Sequence, residues 1–136
     1  MAVSSIVVGV DGTDPSWRAL AMAIGVGRRE QATIHVCYVA HMPVPAVGLG
    51  VSLAVIDPDG DTGDLGRSVC SELSEAGASG DFSIRVGDVG HELELLAEAC
   101  HADLIVVGRS RHPALHLGGV PRRLLNSGRW PVLVVP

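Results

Sequence analysis

The chain has 136 residues, 47% of them hydrophobic, and a formal charge of −5 at neutral pH. That size suits one buried core, so a single domain over 1–136 is expected; apolar runs fall short of the roughly 18 residues of a spanning helix, and neither a membrane span nor a secretory signal is expected. All ten basic residues other than histidine are arginine, which excludes a Walker-type phosphate lysine and Schiff-base chemistry, and the expected setting is the cytoplasm.

Residues 5 to 10, SIVVGV, form an apolar, β-branched run without alternation, the pattern of a strand buried on both faces. Asp14 is placed to cap a helix that begins at Pro15, and Trp17, Leu20, Ala21 and Ile24 then recur at helical spacing, so a helix is predicted to about Arg29. TIHVCYV (33 to 39) reads as a second strand. From 41 to 56 the apolar sequence is broken by Pro43, Pro45, Gly48 and Gly50, which predicts a long loop. DPDGDTGD (57 to 64) invites comparison with a calcium loop but puts Thr62 where the sixth-position glycine belongs and Ser68 where the twelfth-position glutamate belongs. An acidic turn leading into a helix is the better reading.

A weaker helix is predicted over 63–77, a third strand at FSIRV (82 to 86), and a helix from Asp88 with Leu93, Leu96, Ala97 and Cys100 on one face. DLIVVG (103 to 108) predicts a central fourth strand, Val120 to Ser127 a short helix ending at Gly128, and PVLVVP (131 to 136) a last strand bounded by prolines. This alternation predicts an α/β fold: a parallel, doubly wound sheet with helices on both faces. Ligands of such sheets bind beyond the carboxyl ends of the strands where the order reverses. The first and fourth strands, ending at Val10-Asp11-Gly12 and Val107-Gly108, are the natural pair.

Cys37, Cys70 and Cys100 form no C-x-x-C pair and are read as buried small hydrophobes, with no metal site. Residues 104–136 carry five arginines and no acid, whereas residues 1–103 carry five arginines against fifteen acids. Clustered in space, the C-terminal arginines make an anion-attracting field; scattered, they are a solvated surface. Arg122 and Arg123 fall early in the last helix, where the dipole does not favour cations, which hints at an anion or an acidic partner. Ser110 lacks the glycines of a nucleophile elbow, and Pro113 breaks the helical alignment of His112 with His116, so no catalytic residue is assigned. No aromatic side chains interleave with the arginines, which argues against nucleic acid, and no basic flank marks 41 to 56 for a membrane.

IVVGVDGT at the start, GDVGHELELLAEACHADLIVVG in the second half, then LGGVPRRLL and PVLVVP together resemble the universal stress protein family over nearly the whole chain. The resemblance implies five strands in the order 3-2-1-4-5 and commonly a homodimer in which the last strands pair, here Val132 to Val135. It also implies a role in stress survival, with many members binding ATP and no settled catalytic chemistry. In ATP-binding members the aspartate after strand one approaches the nucleotide, the end of strand two contacts the base, and a motif G-x2-G-x9-G-[S/T] wraps the phosphates. Asp11, Val39, Gly108 and Gly118 match by position. Arg111 replaces the second glycine, Gly119 replaces the serine or threonine, and nine residues rather than twelve separate Gly108 from Gly118.

Two readings of this loop stay open. An adenine nucleotide, such as ATP with Mg²⁺, is held by Val10, Asp11, Val39, Val107, Gly108, Gly118, Gly119 and Val120, with Arg109, Arg111 or His112 supplying charge in place of lost amides. Alternatively a smaller anion or none binds, and the chain is a dimeric interaction module for a protein partner. An enzyme, at most a weak ATPase, is the least supported reading. Asp11 itself reads equally as a ligand contact and as support for its own turn.

Overall fold

Unbroken apolar runs become the strands that carry helices on both faces. The computed structural model describes residues 2–41, 61–109 and 119–136. Its elements are β1 (Ser5–Gly9), α1 (Asp14–Glu30), β2 (Thr33–His41), α2 (Asp61–Glu75), β3 (Gly80–Gly87), α3 (Val89–Ala99), β4 (Leu104–Gly108), α4 (Gly119–Ser127) and β5 (Val132–Val135). All the strand pairings are parallel, in the order β3-β2-β1-β4-β5, so the sequence order reverses between β1 and β4.

Strand side chains alternate between two core layers, as the pleat requires. Ile6, Val8, Ile34, Val36 and Val106 pack beneath Leu20 and Ile24 of α1 and Val69 and Leu73 of α2. Val7, Cys37, Val39, Ile105 and Val107 face the other layer, with Leu93 and Ala97 of α3 and Leu124 of α4. Each fully buried leucine or isoleucine here contributes about 1.5–3 kcal/mol relative to exposure.

The edges of several elements differ from the sequence reading. Thr13, not Asp14, stands at the N-cap of α1, and Asp14 is its first residue. The helix buries Pro15, Ser16, Ala19, Leu20, Ala23, Ile24 and Gly27, whereas Trp17 is half-buried and Ala21 exposed. The buried stripe is thus rotated from the one that large apolar residues mark. Small residues set it: a Cβ on Gly27 would lie 2.9 Å from Ile34 Cδ1, so α1 approaches β2 closely there. β2 and β3 are longer than predicted because they pair residue for residue from Ile34↔Gly80 to His41↔Gly87. The predicted loop from 41 to 56 and the acidic turn before Asp61 otherwise lie outside the described residues.

The amino edge of the sheet is fastened by Asp103. Its Oδ2 accepts from Ser4 N at 2.8 Å, from the Ser4 hydroxyl at 3.0 Å and from Ser5 N at 3.2 Å. The Ser4 backbone bond foremost, then the Ser4 hydroxyl and Ser5 N, hold this carboxyl below the ordinary aspartate range. Of the cysteines, Cys37 is buried and Cys100 half-buried at the end of α3, but Cys70 is exposed, contrary to the expectation of a buried thiol. Cys70 follows the inward Val69 on α2 and turns to solvent. No helix among the described residues is long and apolar enough to cross a membrane.

Candidate ligand crevice

The turn after β1 is locked by its own side chains. Asp11 Oδ1 accepts from Thr13 N at 3.0 Å and from the Thr13 hydroxyl. Ser16, buried in the first turn of α1, donates its hydroxyl to Thr13 O at 2.9 Å and accepts from Asp11 N at 3.3 Å. An aspartate followed two residues later by threonine is the sequence signal for such a turn, since a short carboxylate reaches the backbone N–H two positions on. Oδ1 of Asp11 therefore supports the turn, while the residue as a whole stays exposed at the carboxyl end of β1.

The end of β4 closes on the same place. A Cβ on Gly108 would lie 2.6 Å from the carbonyl carbon of Pro15 and 2.7 Å from Ser16 N, both backbone atoms. Gly108 is therefore required by packing between β4 and α1, whatever it does for a ligand. Asp11 and Gly108 are brought together through Pro15 and Ser16, at the point where strand order reverses. Arg109 follows, exposed, with its backbone N–H bonded to Val135 O at 2.7 Å. Arg111 and Gly118, and with them Ser110, His112 and His116, lie outside the described residues.

Val10, Val39 and Val107 are buried and belong to the core, so at this edge they offer a ligand backbone rather than side chains. Val10 N already donates to Cys37 O at 3.0 Å. Gly119 is the first residue of α4 and Val120 is half-buried. The first N–H groups of a helix have no intrahelical acceptor and carry the positive end of its dipole, so this start suits a phosphate or carboxylate.

Among the described residues, the C-terminal arginines do not form one unpaired cluster. Arg123 Nη1 lies 3.3 Å from Asp88 Oδ2, the same oxygen that accepts from His91 N and caps α3. Its stem crosses Gly90, where a Cβ would come within 2.4 Å of Arg123 Cδ. Arg129 pairs with Glu98 at 3.4 Å and stacks over Trp130 with its guanidinium carbon 4.5 Å from the ring centre. The acidic partner that the position of Arg123 hints at is thus α3 of the same chain. Sequence reading misses these pairs because 35 residues separate Asp88 from Arg123 and no local pattern links them.

A second polar group that sequence reading misses lies beside Val39. The register sets Val39 against Arg85 of β3, whose Nε donates to Glu92 Oε2 at 3.0 Å. Deeper on the same strands, burial raises the Cys37 thiol above its ordinary range, against smaller opposing effects of the Ser83 hydroxyl and the Arg85 charge. Cys37 is consequently protonated and unreactive in the folded protein. Among the described residues, no group of three or more His, Cys, Asp or Glu side chains is placed to hold a metal ion.

Comparison with known proteins agrees with this architecture. The profile of the universal stress protein family matches residues 3–136. A universal stress protein of Methanocaldococcus jannaschii is 29% identical over 139 residues, covering 96% of this chain and 80% of the relative. Among solved structures, a universal stress protein in complex with cAMP is 26% identical with a TM-score of 0.72, covering 100% of this chain and 98% of its own. One from Archaeoglobus fulgidus in complex with dAMP has the same fold, with a TM-score of 0.74 at 21% identity and full coverage of both chains. With a family profile spanning all but the first two residues and a sheet in the order 3-2-1-4-5, the chain belongs to the universal stress protein family.

Proposed function

We propose that the chain is a small regulatory protein that binds ATP or another adenine nucleotide in the crevice between the carboxyl ends of β1 and β4. The observation that carries this reading is the convergence of the Asp11 turn and Gly108 at the reversal of strand order, with the start of α4 next along the chain. In this arrangement the phosphates take the first N–H groups of α4, Arg109 adds charge, and the nucleoside runs over the ends of β1 and β2 towards Val39. The relatives solved with cAMP and dAMP support a nucleotide as the ligand class. ATP with Mg²⁺ is the fullest ligand of this kind.

The departures at Arg111 and Gly119 favour a second reading, an interaction module that takes a smaller anion or none. In either reading the protein is a cytoplasmic homodimer paired through the outer edge of β5, whose half-buried Val132, Leu133 and Val134 sit at one end of the sheet. Calorimetric titration with ATP and Mg²⁺, then AMP and inorganic phosphate, separates the readings. Saturable micromolar binding of ATP, weaker for AMP, is expected. Binding of phosphate alone, or of nothing, moves the assignment to the interaction module.

A further inference from the structure

A helix packed on a sheet ordinarily turns a charged face to water, and α1 does so only towards its ends. From Ala19 to Gly27 its sequence, ALAMAIGVG, holds no polar side chain, although only its inner side is packed into the core. The outer stripe therefore runs Arg18, Met22, Gly25, Arg29, at the i, i+4, i+7, i+11 spacing of one helix face. Met22 is 46% exposed, and Ala21 beside it is exposed too. A groove of about 290 Å³, lined by Trp17, Arg18, Leu20 and Ala21 of α1 and by Glu72 of α2, opens along one side of the stripe.

The arginines that end this stripe lack carboxylates. Arg67, Arg85, Arg123 and Arg129 each pair with an acid of the same chain, whereas among the described residues Arg18 and Arg29 are in no ion pair. Arg18 donates from Nε to Pro136 O at 2.7 Å, which fixes the guanidinium and leaves its terminal nitrogens for another acceptor. Arg29 reaches back over Gly25, where a Cβ would lie 3.7 Å from its Nη1. The helix dipole accounts for Arg29 in the last turn but not for Arg18 near the start. At 1.5 Å per residue the two stand about 16 Å apart along the axis.

We propose that the outer face of α1 docks an amphipathic helix of another protein, one whose apolar stripe is flanked by carboxylates about three turns apart. Ala21 and Gly25, one turn apart, let a ridge of that helix approach the backbone of α1, while Met22 and the groove beside Trp17 take its larger side chains. Its carboxylates then meet Arg18 and Arg29 in charge-assisted hydrogen bonds. Two other occupants fit less well. A second copy lying antiparallel on this stripe would set Arg18 against the other copy's Arg29. An anionic membrane would face a chain of net charge −5 and a stripe whose one large exposed apolar side chain is Met22, too little to insert. The docking face is independent of what the crevice holds.

Fluorescence anisotropy of two labelled helical peptides on the full chain tests this. One carries leucines at helical spacing flanked by glutamates, and the other has lysines in place of the glutamates. The glutamate peptide is expected to bind saturably, and the lysine peptide about tenfold more weakly or worse. Met22→Glu and Arg29→Glu, both at exposed positions, should each weaken the glutamate peptide about tenfold with the helical circular dichroism unchanged. Leu125→Glu, a like change at an exposed leucine on the other face of the sheet, should leave that affinity as it is. Equal binding of the two peptides, binding that survives both α1 substitutions, or binding of neither peptide would overturn the inference. Self-association abolished by Met22→Glu, or binding to phosphatidylserine vesicles abolished by Arg29→Glu, would overturn it as well, by assigning the face to a second copy or to a membrane.

Discussion

The two helices that border the crevice are held in different ways. α1 buries seven of its seventeen residues and meets the end of β4 backbone to backbone at Gly108. α4 fully buries one of its nine, Leu124, packs Val120 partly against the same layer, and meets α3 through the Arg123 to Asp88 pair and the stem of Arg123 over Gly90. One side of the crevice is therefore a wall built into the core, and the other is a short helix with a small apolar anchor and an exposed ion pair. Substitutions on the α1 side should act on stability, and those on the α4 side on ligand affinity, because a helix with few buried contacts shifts at little cost.

The largest effect should come from Gly108→Ala. Its Cβ meets backbone atoms of Pro15 and Ser16, which cannot rotate away, so a loss of about 1–3 kcal/mol or more is expected in urea unfolding. Loss of ligand binding in this variant would then report a displaced wall, not a lost phosphate contact. A neutral outcome would show that α1 is not fixed against β4 as described.

Asp103→Ala should come next, at about 1–1.5 kcal/mol, because the part-buried Ser5 N–H loses its acceptor while the exposed Ser4 donors turn to water. The pH dependence follows from the lowered carboxyl. A group whose folded pKa lies below its unfolded value adds stability that is fully present above the unfolded value, near pH 4, and is lost as pH falls through the folded one. The gap between wild type and variant should therefore be constant near neutrality and narrow below about pH 4. A gap that widens on acidification would contradict the assignment.

Asp11→Ala removes the acceptor of the Thr13 bonds and should cost about 1 kcal/mol, whereas Asp11→Asn keeps an oxygen there and should be close to neutral. Equal losses in the two variants would mean that the charge of Asp11, not its turn geometry, supports the fold. The smallest effect is expected for Arg123→Ala. Its pair with Asp88 is half-exposed on both sides, at 48% and 51%, so stability should fall by no more than about 1 kcal/mol. Ligand affinity should change more visibly than stability in this variant, and the reverse order would break the contrast between the two helices.

The chain's periodicity carried most of the architecture. SIVVGV and DLIVVG are apolar without alternation because β1 and β4 are covered on both faces, and that same pattern marks the reversal point between them. The face of α1 was less legible. Ala19, Ala23 and Gly27 are buried because smallness lets the helix approach the sheet, and small residues leave no mark in a pattern of large ones. Gly108 was legible as a glycine that matters, but in a phosphate motif a close backbone contact with Pro15 looks the same. Pairs such as Asp88 with Arg123, or Val39 with Arg85, join distant segments, and only the strand order and register bring them together.

The central claim is that a nucleotide occupies the crevice between β1 and β4, and backbone amide chemical shifts measured on adding ATP with Mg²⁺ test it most directly. The account predicts saturable shifts confined to the Asp11–Thr13 turn, Gly108–Arg109, Gly119–Val120 and the end of β2 near Val39. Shifts that instead gather at the Asp103 clasp or on the outer face of α2, with the crevice amides unmoved, would contradict it.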